Sequence, residues 1–356
     1  MSLKGLRKTV DSVDSQILKL LNKRTRIILD IGKVKKKKKK AVYVPGREKE
    51  VYEKLISKNK GPLPCESLKA IFREIMSSSL QLERPIRTAY LGPEFTFTHL
   101  ASLKKFGSSV NYTSCGTITD VFSEVEKDRA DYGVVPIENS IEGAVNHTLD
   151  MFIDSDLKIC SEIYLEISHS LLSKETNKNR IKRIYSNPQV FGQCRLWIES
   201  NLPKVELVEV SSTAKAAQLA ATERGAGCVA SELAAGKYNL KTLSRSIEDS
   251  THNVTRFLII GKTEAKPTKK DKTSIMFSVK DRAGALHDSL VPFKNHGINM
   301  TKIESRPSKV RAWEYYFFVD LEGHYQNPKV KKALEELKKV SSYMKVLGSY
   351  PVGNDI

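Results

Sequence analysis

Residues 132–140 read Tyr-Gly-Val-Val-Pro-Ile-Glu-Asn-Ser, an apolar run that ends in three polar side chains. A short apolar run rich in β-branched residues predicts a buried strand over Tyr132–Ile137. Predicted strands and helices alternate on both sides of it. The other strands are Arg87–Leu91, Val110–Tyr112, Ile181–Tyr185, Val205–Val210 and Cys228–Ala230, and the helices are Thr98–Phe106, Ile118–Lys127, Gln189–Ser200 and Ala214–Thr222. This alternation predicts an α/β segment of parallel sheets with crossover helices, in two lobes with a ligand-binding cleft between them.

Polar residues collect near the ends of these predicted elements. Glu138-Asn139-Ser140 follows a strand, whereas Ser186-Asn187 and Ser211-Ser212-Thr213 each precede a helix. Taken singly, each group is better explained as a helix N-cap; together they predict a row of donors that faces one cleft. The GxGxxA match at Gly225–Ala230 follows a helix and leads into a strand, the reverse of a dinucleotide-binding motif. It therefore indicates a tight turn, and no nicotinamide cofactor is expected.

The segment over 86–264 resembles prephenate dehydratase across its whole length. The likeness is carried by Gly92-Pro93-Glu94 with Thr96–His99, Tyr132–Ser140 with Glu142-Gly143, Asn187-Pro188-Gln189 with Gln193-Cys194, and above all Asn253-Val254-Thr255-Arg256-Phe257. The resemblance implies loss of carbon dioxide and water from prephenate to give phenylpyruvate. It implies that Thr255 donates a hydrogen bond or proton to the departing hydroxyl, with Arg256 nearby favouring the anion. The implied substrate-binding residues are Thr96, Glu138, Asn139, Ser140, Ser186, Gln193, Ser212, Thr213, Thr255, Arg256 and Phe257.

Phe95 departs from the pattern of that family, which usually has a small residue at this position, most often glycine.

The first 85 residues are predicted to be helical. Apolar residues recur in steps of three and four from Leu6 to Val34, which is the stripe of a long amphipathic helix. Such a helix would be about 44 Å long, too long to bury its stripe within this segment, so a partner chain is expected. Further helices are predicted over Arg47–Lys58 and Ser67–Glu83.

This segment is also strongly basic, with 22 Lys and Arg against 9 Asp and Glu, in a chain whose net charge is +18. Arg24 occupies a position of the stripe where the spacing predicts an apolar residue. Because a buried charge is costly unless an opposite charge compensates it, an anion is expected next to Arg24. Its partner is either a carboxylate, such as Asp14 or Glu48, or a small polyanion. The other basic residues that favour the polyanion are Arg7, Lys35 and Arg47.

The segment resembles the all-helical chorismate mutases. The likeness is carried by Leu6-Arg7, Asp14, Leu20–Arg24, Gly32–Lys35, Pro45–Glu48 and Ile71–Glu83. In that family the helices interlace into a dimer, and the first helix lends one arginine, here Arg7, to the neighbour's site. A Claisen rearrangement needs no nucleophile, only confinement of the substrate and donors where negative charge develops on the breaking C–O bond. The implied site has Arg24 and Arg47 at the carboxylates, Lys35 and Glu83 beside the ether oxygen, and Glu48 and Ser79 near the hydroxyl and a carboxylate.

Two features of the implied mutase site lead to further expectations. A glutamate at position 83 can donate only when it is protonated, so mutase activity is expected to rise as the pH falls. Lys35–Lys40 is a run of six lysines, which is either a nucleic-acid patch or a solvated helix end. The second interpretation is favoured, with Lys35 turned inward and Lys36 as the fallback.

The last segment follows a polar stretch, Ala265–Lys272, that indicates a linker. The elements predicted after it come in the order βαββαβ, that of a ferredoxin-like α+β domain. Gly284-Ala285-Leu286-His287 lies where the first helix starts, and Glu304-Ser305-Arg306-Pro307 closes the second strand. These motifs resemble those of the ACT domains attached to prephenate dehydratases, which implies a phenylalanine site at a dimer interface and allosteric inhibition by phenylalanine. The implied ligands are Gly284, Ala285, Leu286, Glu304, Ser305, Arg306 and Pro307.

The sequence thus predicts a multidomain chain: an all-α three-helix mutase dimer module over 1–85, a two-lobed α/β dehydratase over 86–264 and a ferredoxin-like ACT domain over 271–353. No apolar run approaches the roughly 18 residues of a membrane helix, the N-terminus lacks the apolar core of a signal peptide, and the five cysteines are widely spaced with no CxxC. A cytoplasmic location is expected.

The expected ligands are chorismate and prephenate as substrates and L-phenylalanine as effector. No cofactor, metal, nucleic acid or membrane partner is expected, and the assembly is expected to be a homodimer or a dimer of dimers. Two alternatives stay open. One is a non-catalytic, amino-acid-responsive regulator whose lysine-rich arm binds nucleic acid. The other is an enzyme of the same fold that prefers arogenate to prephenate.

Overall fold

The computed structural model describes residues 2–37, 43–250, 252–308 and 315–353. The chain divides into two compact units. One unit is formed by Met1–Arg87 with Lys105–Asn111, and the other by Thr88–Lys104 with Tyr112–Ile356.

The first unit is helical, as the sequence predicts. Its helices are α1 (Leu3–Lys37), α2 (Pro45–Lys58) and α3 (Cys65–Glu83). α1 extends about one turn beyond the predicted stripe at each end. Pro45 occupies the first turn of α2, where its missing N–H removes no helical hydrogen bond, and Pro64 directly precedes α3.

The apolar stripe of α1 lies open to solvent in the single chain, since no residue of this helix is buried. Val10, Ile17, Leu20 and Ile27 are each about half exposed or more (57, 48, 65 and 53%). The other two helices therefore do not cover the apolar face of α1. This agrees with the expectation that so long a helix cannot bury its stripe within the segment.

Residues 105–111 pack against α3 within the first unit. Glu74 accepts hydrogen bonds from the Ser108 backbone N–H and hydroxyl at 2.9 and 2.6 Å, and the Ser109 N–H donates to Ser77 Oγ at 3.0 Å. Gly107 turns the chain there with φ +74°. A Cβ on Gly107 would lie 2.5 Å from Ser77 Cβ, so both the backbone angle and the close approach require glycine.

The second unit contains the remaining elements, apart from the end residues Arg87, Lys105, Phe106 and Asn111, which belong to the first. Its helices are α4 (Phe97–Phe106), α5 (Ile118–Glu126), α6 (Asn146–Asp154), α7 (Pro188–Gln193), α8 (Arg195–Asn201), α9 (Thr213–Ala220), α10 (Leu233–Tyr238), α11 (Ala285–Asn295) and α12 (Pro328–Val340). Its strands are β1 (Arg87–Leu91), β2 (Asn111–Cys115), β3 (Tyr132–Asn139), β4 (Gly143–Ala144), β5 (Lys158–Glu166), β6 (Ser170–Ser173), β7 (Arg183–Ser186), β8 (Glu206–Glu209), β9 (Ala226–Ala230), β10 (Lys241–Ser244), β11 (Val254–Gly261), β12 (Asp271–Ser278), β13 (Met300–Pro307), β14 (Tyr315–Glu322) and β15 (Tyr343–Pro351).

The first sheet has the strand order β2-β1-β3-β11-β5. β1 and β3 are parallel, as predicted. The prediction of a parallel sheet is wrong for β11, which runs antiparallel to both β3 and β5. β11 enters this sheet only after the chain has built the second lobe, so no crossover helix joins it to its neighbours, and the local alternation carried no signal of its direction.

The second sheet has the order β10-β6-β9-β7-β8. β7 is parallel to β8 and β9, as predicted, whereas β6 is antiparallel to β9 and β10. The helix predicted over Gln189–Ser200 is two helices, which break at Cys194. Gly225, with φ +73°, turns the chain into β9, so the GxGxxA match is the tight turn that was predicted.

The third sheet, of order β13-β14-β12-β15, confirms the βαββαβ domain. The predicted linker ends earlier than expected, because Asp271 and Lys272 already belong to β12 and are buried. This sheet packs on the first one. Their shared core holds Leu258 and Ile260 from β11 together with Met276 and Phe318 from β12 and β14.

Candidate active sites

A pocket of about 330 Å³ opens among the three helices and the 105–111 segment of the first unit. The predicted mutase residues that line it are Arg24, Lys35, Arg47, Glu48, Ser79 and Glu83. Arg7, the remaining predicted residue, is exposed on α1 and does not line this pocket of its own chain.

Arg24 is held from α3. Its Nη1 donates to Ser79 Oγ at 2.5 Å, and Ser79 donates in turn to the Ile75 carbonyl. Burial lowers the pKa of Arg24, yet guanidinium stays protonated in proteins. The hydrogen bond described for Arg24 goes to a neutral hydroxyl rather than to Asp14 or Glu48, so its charge is available to an anionic ligand.

Lys35 and Glu83 form an ion pair across α1 and α3. Lys35 Nζ lies 3.0 Å from Glu83 Oε1 and donates to Oε2 at 3.2 Å, and the two side chains are 25 and 5% exposed. Lys36 is exposed. The inward lysine is therefore Lys35, and Lys38–Lys40 lie outside the described residues.

Glu48 is held by groups from outside its helix. Tyr43 Oη donates to Glu48 Oε2 at 2.8 Å, and Lys105 Nζ lies 3.0 Å from the same oxygen. Arg47, next to it, is at the pocket mouth, where it pairs with Glu50 at 2.8 Å and its side chain is 69% exposed.

In the second unit, Asn139 and Thr255 face each other as cross-strand partners of β3 and β11. Asn139 Nδ2 donates to Thr255 Oγ1 at 2.8 Å and to Asn253 Oδ1 at 2.7 Å. Asn253 Nδ2 then donates to Gln193 Oε1 at 3.0 Å. Three predicted residues from distant parts of the chain thus meet in one hydrogen-bonded cluster.

The orientation of the Asn139 amide is fixed by the backbone. Its Oδ1 accepts from the N–H groups of Ile141 and Glu142 at 2.9 and 3.0 Å. Because a backbone N–H can only donate, the amide NH₂ must face Thr255. Thr255 Oγ1 accepts this bond, which leaves the hydroxyl hydrogen of Thr255 available for donation.

The cluster includes three residues absent from the predicted site, which are Asn253, Glu142 and His169. Gln193 Nε2 donates to Glu142 Oε1 at 2.8 Å, and His169 Nε2 lies 2.8 Å from Gln193 Oε1. Because Gln193 Oε1 accepts, His169 carries its proton on Nε2; burial lowers the pKa of this imidazole. Asn253 and Glu142 lie within the quoted motifs and could have been included, whereas no sequence signal marks His169.

Arg256 is not brought to this cluster. Its Nε donates to Glu162 Oε2 at 2.8 Å, Nη1 to Asp320 Oδ2 at 2.5 Å and Nη2 to Tyr350 Oη at 2.9 Å. Burial alone would lower the pKa of Arg256, but Tyr350, Asp320 and Glu162 raise it above its usual value. Alternation along β11 explains this placement, since successive side chains leave opposite faces of a sheet.

Glu138 follows the same rule on β3. It lies 2.9 Å from Lys302 Nζ and 3.7 Å from Arg256 Nη1, on the face opposite Asn139. Phe257, also predicted to bind substrate, is 2% exposed and packed in the core.

The remaining predicted dehydratase residues have local partners. Ser186 Oγ donates to the Val229 carbonyl and is fully buried. Ser212 caps α9 by accepting from the Lys215 N–H, and Thr213 begins that helix. Ser140 Oγ donates to the His252 carbonyl, and Thr96 Oγ1 donates to the Pro93 carbonyl at 2.9 Å.

Phe95 adopts φ +68°, a backbone conformation that favours glycine. Its ring contacts Tyr238 at 6.2 Å, and the Lys237 ammonium lies 5.5 Å from the ring centroid. The positive φ at this position accounts for the small residue, most often glycine, that the related family has there. In this chain the Phe95 ring instead makes an aromatic contact between the two lobes.

The two predicted regulatory motifs lie on separate elements. Gly284 caps α11 with φ +77°, Ala285 begins that helix, and Leu286 packs against the core of the third sheet. Glu304, Ser305, Arg306 and Pro307 lie on β13, the first strand in that sheet's order. Arg306 binds both carboxylate oxygens of Asp150 on α6, at 3.2 and 3.3 Å.

Among the described residues, no group of three or more His, Cys, Asp or Glu side chains is placed to hold a metal ion. No helix in that part of the chain combines the length and apolarity needed to cross a membrane.

Three family matches cover most of the chain. They are chorismate mutase type II over residues 6–84, prephenate dehydratase over residues 88–265 and the ACT domain over residues 273–339. Together with the fold and the two groups of site residues, these family matches define an enzyme that joins a chorismate mutase domain and a prephenate dehydratase domain to an ACT domain.

Related proteins are described as carrying both activities. The chain is 54% identical over 353 residues to the bifunctional chorismate mutase/prephenate dehydratase of Aquifex aeolicus, covering 98% of each chain. It is 48% identical over 355 residues to the enzyme of the same description from Pseudomonas aeruginosa, covering 98% of this chain and 97% of that one. The crystal structure of prephenate dehydratase in complex with L-Phe from Arthrobacter aurescens is similar with a TM-score of 0.69 and 32% identity, over 75% of this chain and 90% of that one.

The chain belongs to the family of bifunctional chorismate mutase/prephenate dehydratases. It has both enzymatic activities, as the sequence analysis predicts.

Proposed function

We propose that the helical pocket converts chorismate to prephenate and that the Asn139–Thr255 cluster converts prephenate to phenylpyruvate, with L-phenylalanine as feedback inhibitor. The observation that carries the proposal is the hydrogen bond from Asn139 Nδ2 to Thr255 Oγ1, because it orients a hydroxyl donor next to the side-chain amide of Asn139.

In the mutase pocket, Arg24 and Arg47 bind the two carboxylates of chorismate, with Ser79 orienting Arg24. Lys35 and Glu83 lie beside the breaking ether bond. The rearrangement breaks this C–O bond as a C–C bond forms, and Lys35 stabilises the negative charge that develops on the oxygen. No proton is transferred and no covalent intermediate forms.

In the dehydratase cluster, Thr255 donates to the ring hydroxyl of prephenate. The bond between the ring carbon and this hydroxyl breaks, and the hydroxyl leaves as water with the donated proton, which Thr255 regains from solvent water; the net reaction takes up one proton. The bond to the ring carboxylate breaks too, and its electron pair enters the ring as carbon dioxide departs. Asn139 fixes the direction in which Thr255 donates, and Gln193 and Asn253 hold the cluster rigid.

The enzyme acts as a dimer through α1. The exposed stripe of this helix needs a partner, and a second copy offers the same stripe. Arg7 lies on α1 outside its own pocket, which suits a residue lent to the partner's site.

Phenylalanine binds at the ACT domain. The N-terminus of α11, opened by Gly284, can receive a carboxylate, and Glu304 supplies an anion for the ammonium group. The Arthrobacter aurescens relative was crystallised with L-Phe, which supports this ligand class.

The function is tested by feeding chorismate to the full-length enzyme and following prephenate and phenylpyruvate together, with and without L-phenylalanine. We expect prephenate to appear first and phenylpyruvate to follow, with phenylpyruvate formation reduced by phenylalanine. Arogenate, supplied as a competing substrate, is expected to be turned over with a lower kcat/KM than prephenate; the reverse order would overturn the assignment of the substrate. Unchanged turnover at saturating phenylalanine would overturn the regulatory role.

A further inference from the structure

One wall of the mutase pocket comes from a part of the chain outside α1–α3. Lys105 and Phe106, at the C-terminal end of α4, line the pocket together with Tyr43. Both lie beyond the chorismate mutase match, which ends at residue 84, and inside the prephenate dehydratase match. They nevertheless belong to the same compact unit as α1–α3.

Lys105 has a specific partner in that pocket. Its Nζ lies 3.0 Å from Glu48 Oε2, and the two side chains are 16 and 15% exposed. An ion pair that is so shielded from water interacts more strongly than one at the surface. The resemblance to the chorismate mutases implies that Glu48 lies near the hydroxyl and a carboxylate of the substrate, and we assign it to the hydroxyl.

Tyr43 completes the arrangement. Its hydroxyl donates to the same oxygen, Glu48 Oε2, at 2.8 Å, while the Lys105 ammonium lies 5.9 Å from the centre of the Tyr43 ring. The ring also contacts Phe106 at 5.1 Å. Lys105 and Tyr43 thus clamp one carboxylate oxygen, and neither uses Oε1.

The charge of the pocket gives Lys105 a second effect. The charged residues lining the pocket are Arg24, Lys35, Arg47, Arg73, Lys105, Glu48 and Glu83. Five are cations and two are anions, which suits a dicarboxylate ligand. Without Lys105, the Glu48 carboxylate would lose its ion-pair partner close to where an anionic substrate binds, and repulsion would weaken binding.

We propose that Lys105 is a positioning residue of the mutase site, which holds Glu48 so that its Oε1 accepts a hydrogen bond from the substrate hydroxyl. The inference rests on the proposed role of Glu48. The hydroxyl is on the ring carbon next to the breaking C–O bond, but its own bonds do not change and no charge develops on it, so we expect this contact to contribute similarly to binding of substrate and transition state. Its loss therefore raises KM more than it lowers kcat.

The test compares Lys105→Met and Lys105→Arg with a control, Lys104→Met. Lys104 is the preceding residue of the same helix and does not line the pocket; its Nζ donates to the Tyr164 carbonyl at 3.4 Å. We expect Lys105→Met to raise KM for chorismate about tenfold, the order expected when a hydrogen bond to a charged group is weakened, with kcat within about threefold of the wild type. Lys105→Arg should restore most of the loss, and Lys104→Met should leave KM unchanged.

The second activity of the chain reports on folding. Dehydratase turnover, measured on the same preparations with prephenate supplied directly, should match the wild type for every variant. A loss of both activities in Lys105→Met, with none in Lys104→Met, would assign Lys105 to folding and would overturn its role as a positioning residue.

A double-mutant cycle with Glu48→Gln separates this inference from the proposed function. If Lys105 acts through Glu48, Lys105→Met has no further effect on KM in the Glu48→Gln background. Additive effects would show that it acts independently and would overturn the inference. An impaired Glu48→Gln beside a normal Lys105→Met would overturn it too, while sparing the role of Glu48. A normal KM for Glu48→Gln would overturn the proposed role of Glu48 itself.

Discussion

Thr255 and Arg256 are neighbours in β11, yet their side chains leave opposite faces of the sheet. Thr255 Oγ1 lies 2.8 Å from Asn139 Nδ2, in the cluster assigned to the dehydratase reaction. Arg256 Nη2 lies 2.9 Å from Tyr350 Oη, in the third sheet. One strand thus bears the proposed catalytic hydroxyl on one face and an anchor to the ACT domain on the other.

The first prediction concerns Arg256. The variant Arg256→Gln leaves Glu162 and Asp320 buried without their guanidinium partner, so the free energy of unfolding should fall by about 3–5 kcal/mol. Urea unfolding of the full chain measures this. The control Arg245→Gln breaks an exposed pair with Glu232 and should cost less than about 1 kcal/mol.

The same Arg256→Gln variant discriminates between the two roles considered for this residue. Since the side chain faces away from Thr255, KM for prephenate should stay within about threefold of the wild type in protein that remains folded. A rise of more than tenfold would mean that Arg256 contacts the substrate after all.

Thr255 gives the second prediction. Removing its hydroxyl in Thr255→Ala should lower the dehydratase kcat by about 10²–10⁴-fold, the usual contribution of a positioned proton donor. Thr255→Ser keeps the donor and should retain most of the turnover. Mutase activity on chorismate is the internal control and should not change. Full dehydratase turnover in Thr255→Ala would exclude the residue from the reaction.

Local periodicity was enough to predict the helical segment and the ACT fold. Steps of three and four predict which side of α1 is apolar. The run of six lysines left the inward lysine open between Lys35, which the family resemblance favoured, and Lys36, and only the pocket places Lys35. The strands of the ACT segment were recognisable in different ways: β13 alternates between half-buried and exposed residues, whereas β12 is buried along its whole length.

The side-chain contacts between the first and third sheets were not predictable from local periodicity. Lys272 looked like part of a polar linker, yet its ammonium lies 3.0 Å from both carboxylate oxygens of Glu162 on β5. A lysine is buried only when a partner compensates its charge, and that partner lies far away in the sequence. The sequence likewise did not predict that the third sheet covers the face of the first sheet that carries Arg256 and Glu138.

The proposed lending of Arg7 to the mutase site of a partner chain gives the third prediction. Arg7→Ala and Arg24→Ala should each abolish mutase activity, but a refolded mixture should recover about a quarter of it, because half of the dimers are hybrids and each hybrid has one intact site. Arg24→Ala mixed with Ser79→Ala should recover nothing, since both residues line the same pocket of one chain. Equal recovery in the two mixtures would show that Arg7 serves its own chain.

The fourth prediction concerns Glu83. Its carboxylate pairs with Lys35 Nζ at 3.0 Å, and a carboxylate cannot donate to the ether oxygen. Glu83→Gln supplies an amide donor at this position and releases Lys35 from the ion pair as a second donor. The mutase kcat/KM of Glu83→Gln, measured with chorismate, should therefore be at least that of the wild type. A fall of more than tenfold would show that the carboxylate itself is required.

The last prediction concerns His169 and the pH dependence of stability. Burial lowers the pKa of His169, and its Gln193 bond and the nearby Glu248 and Glu142 offset this only in part. As the pH falls below about 6.5, the ordinary pKa of histidine, the unfolded chain gains a proton that the folded chain does not. The free energy of unfolding should therefore decrease on acidification.

In His169→Gln the decrease should be shallower, by at most about 1.4 kcal/mol per pH unit. Identical slopes in His169→Gln and the wild type would show that His169 titrates alike in both states.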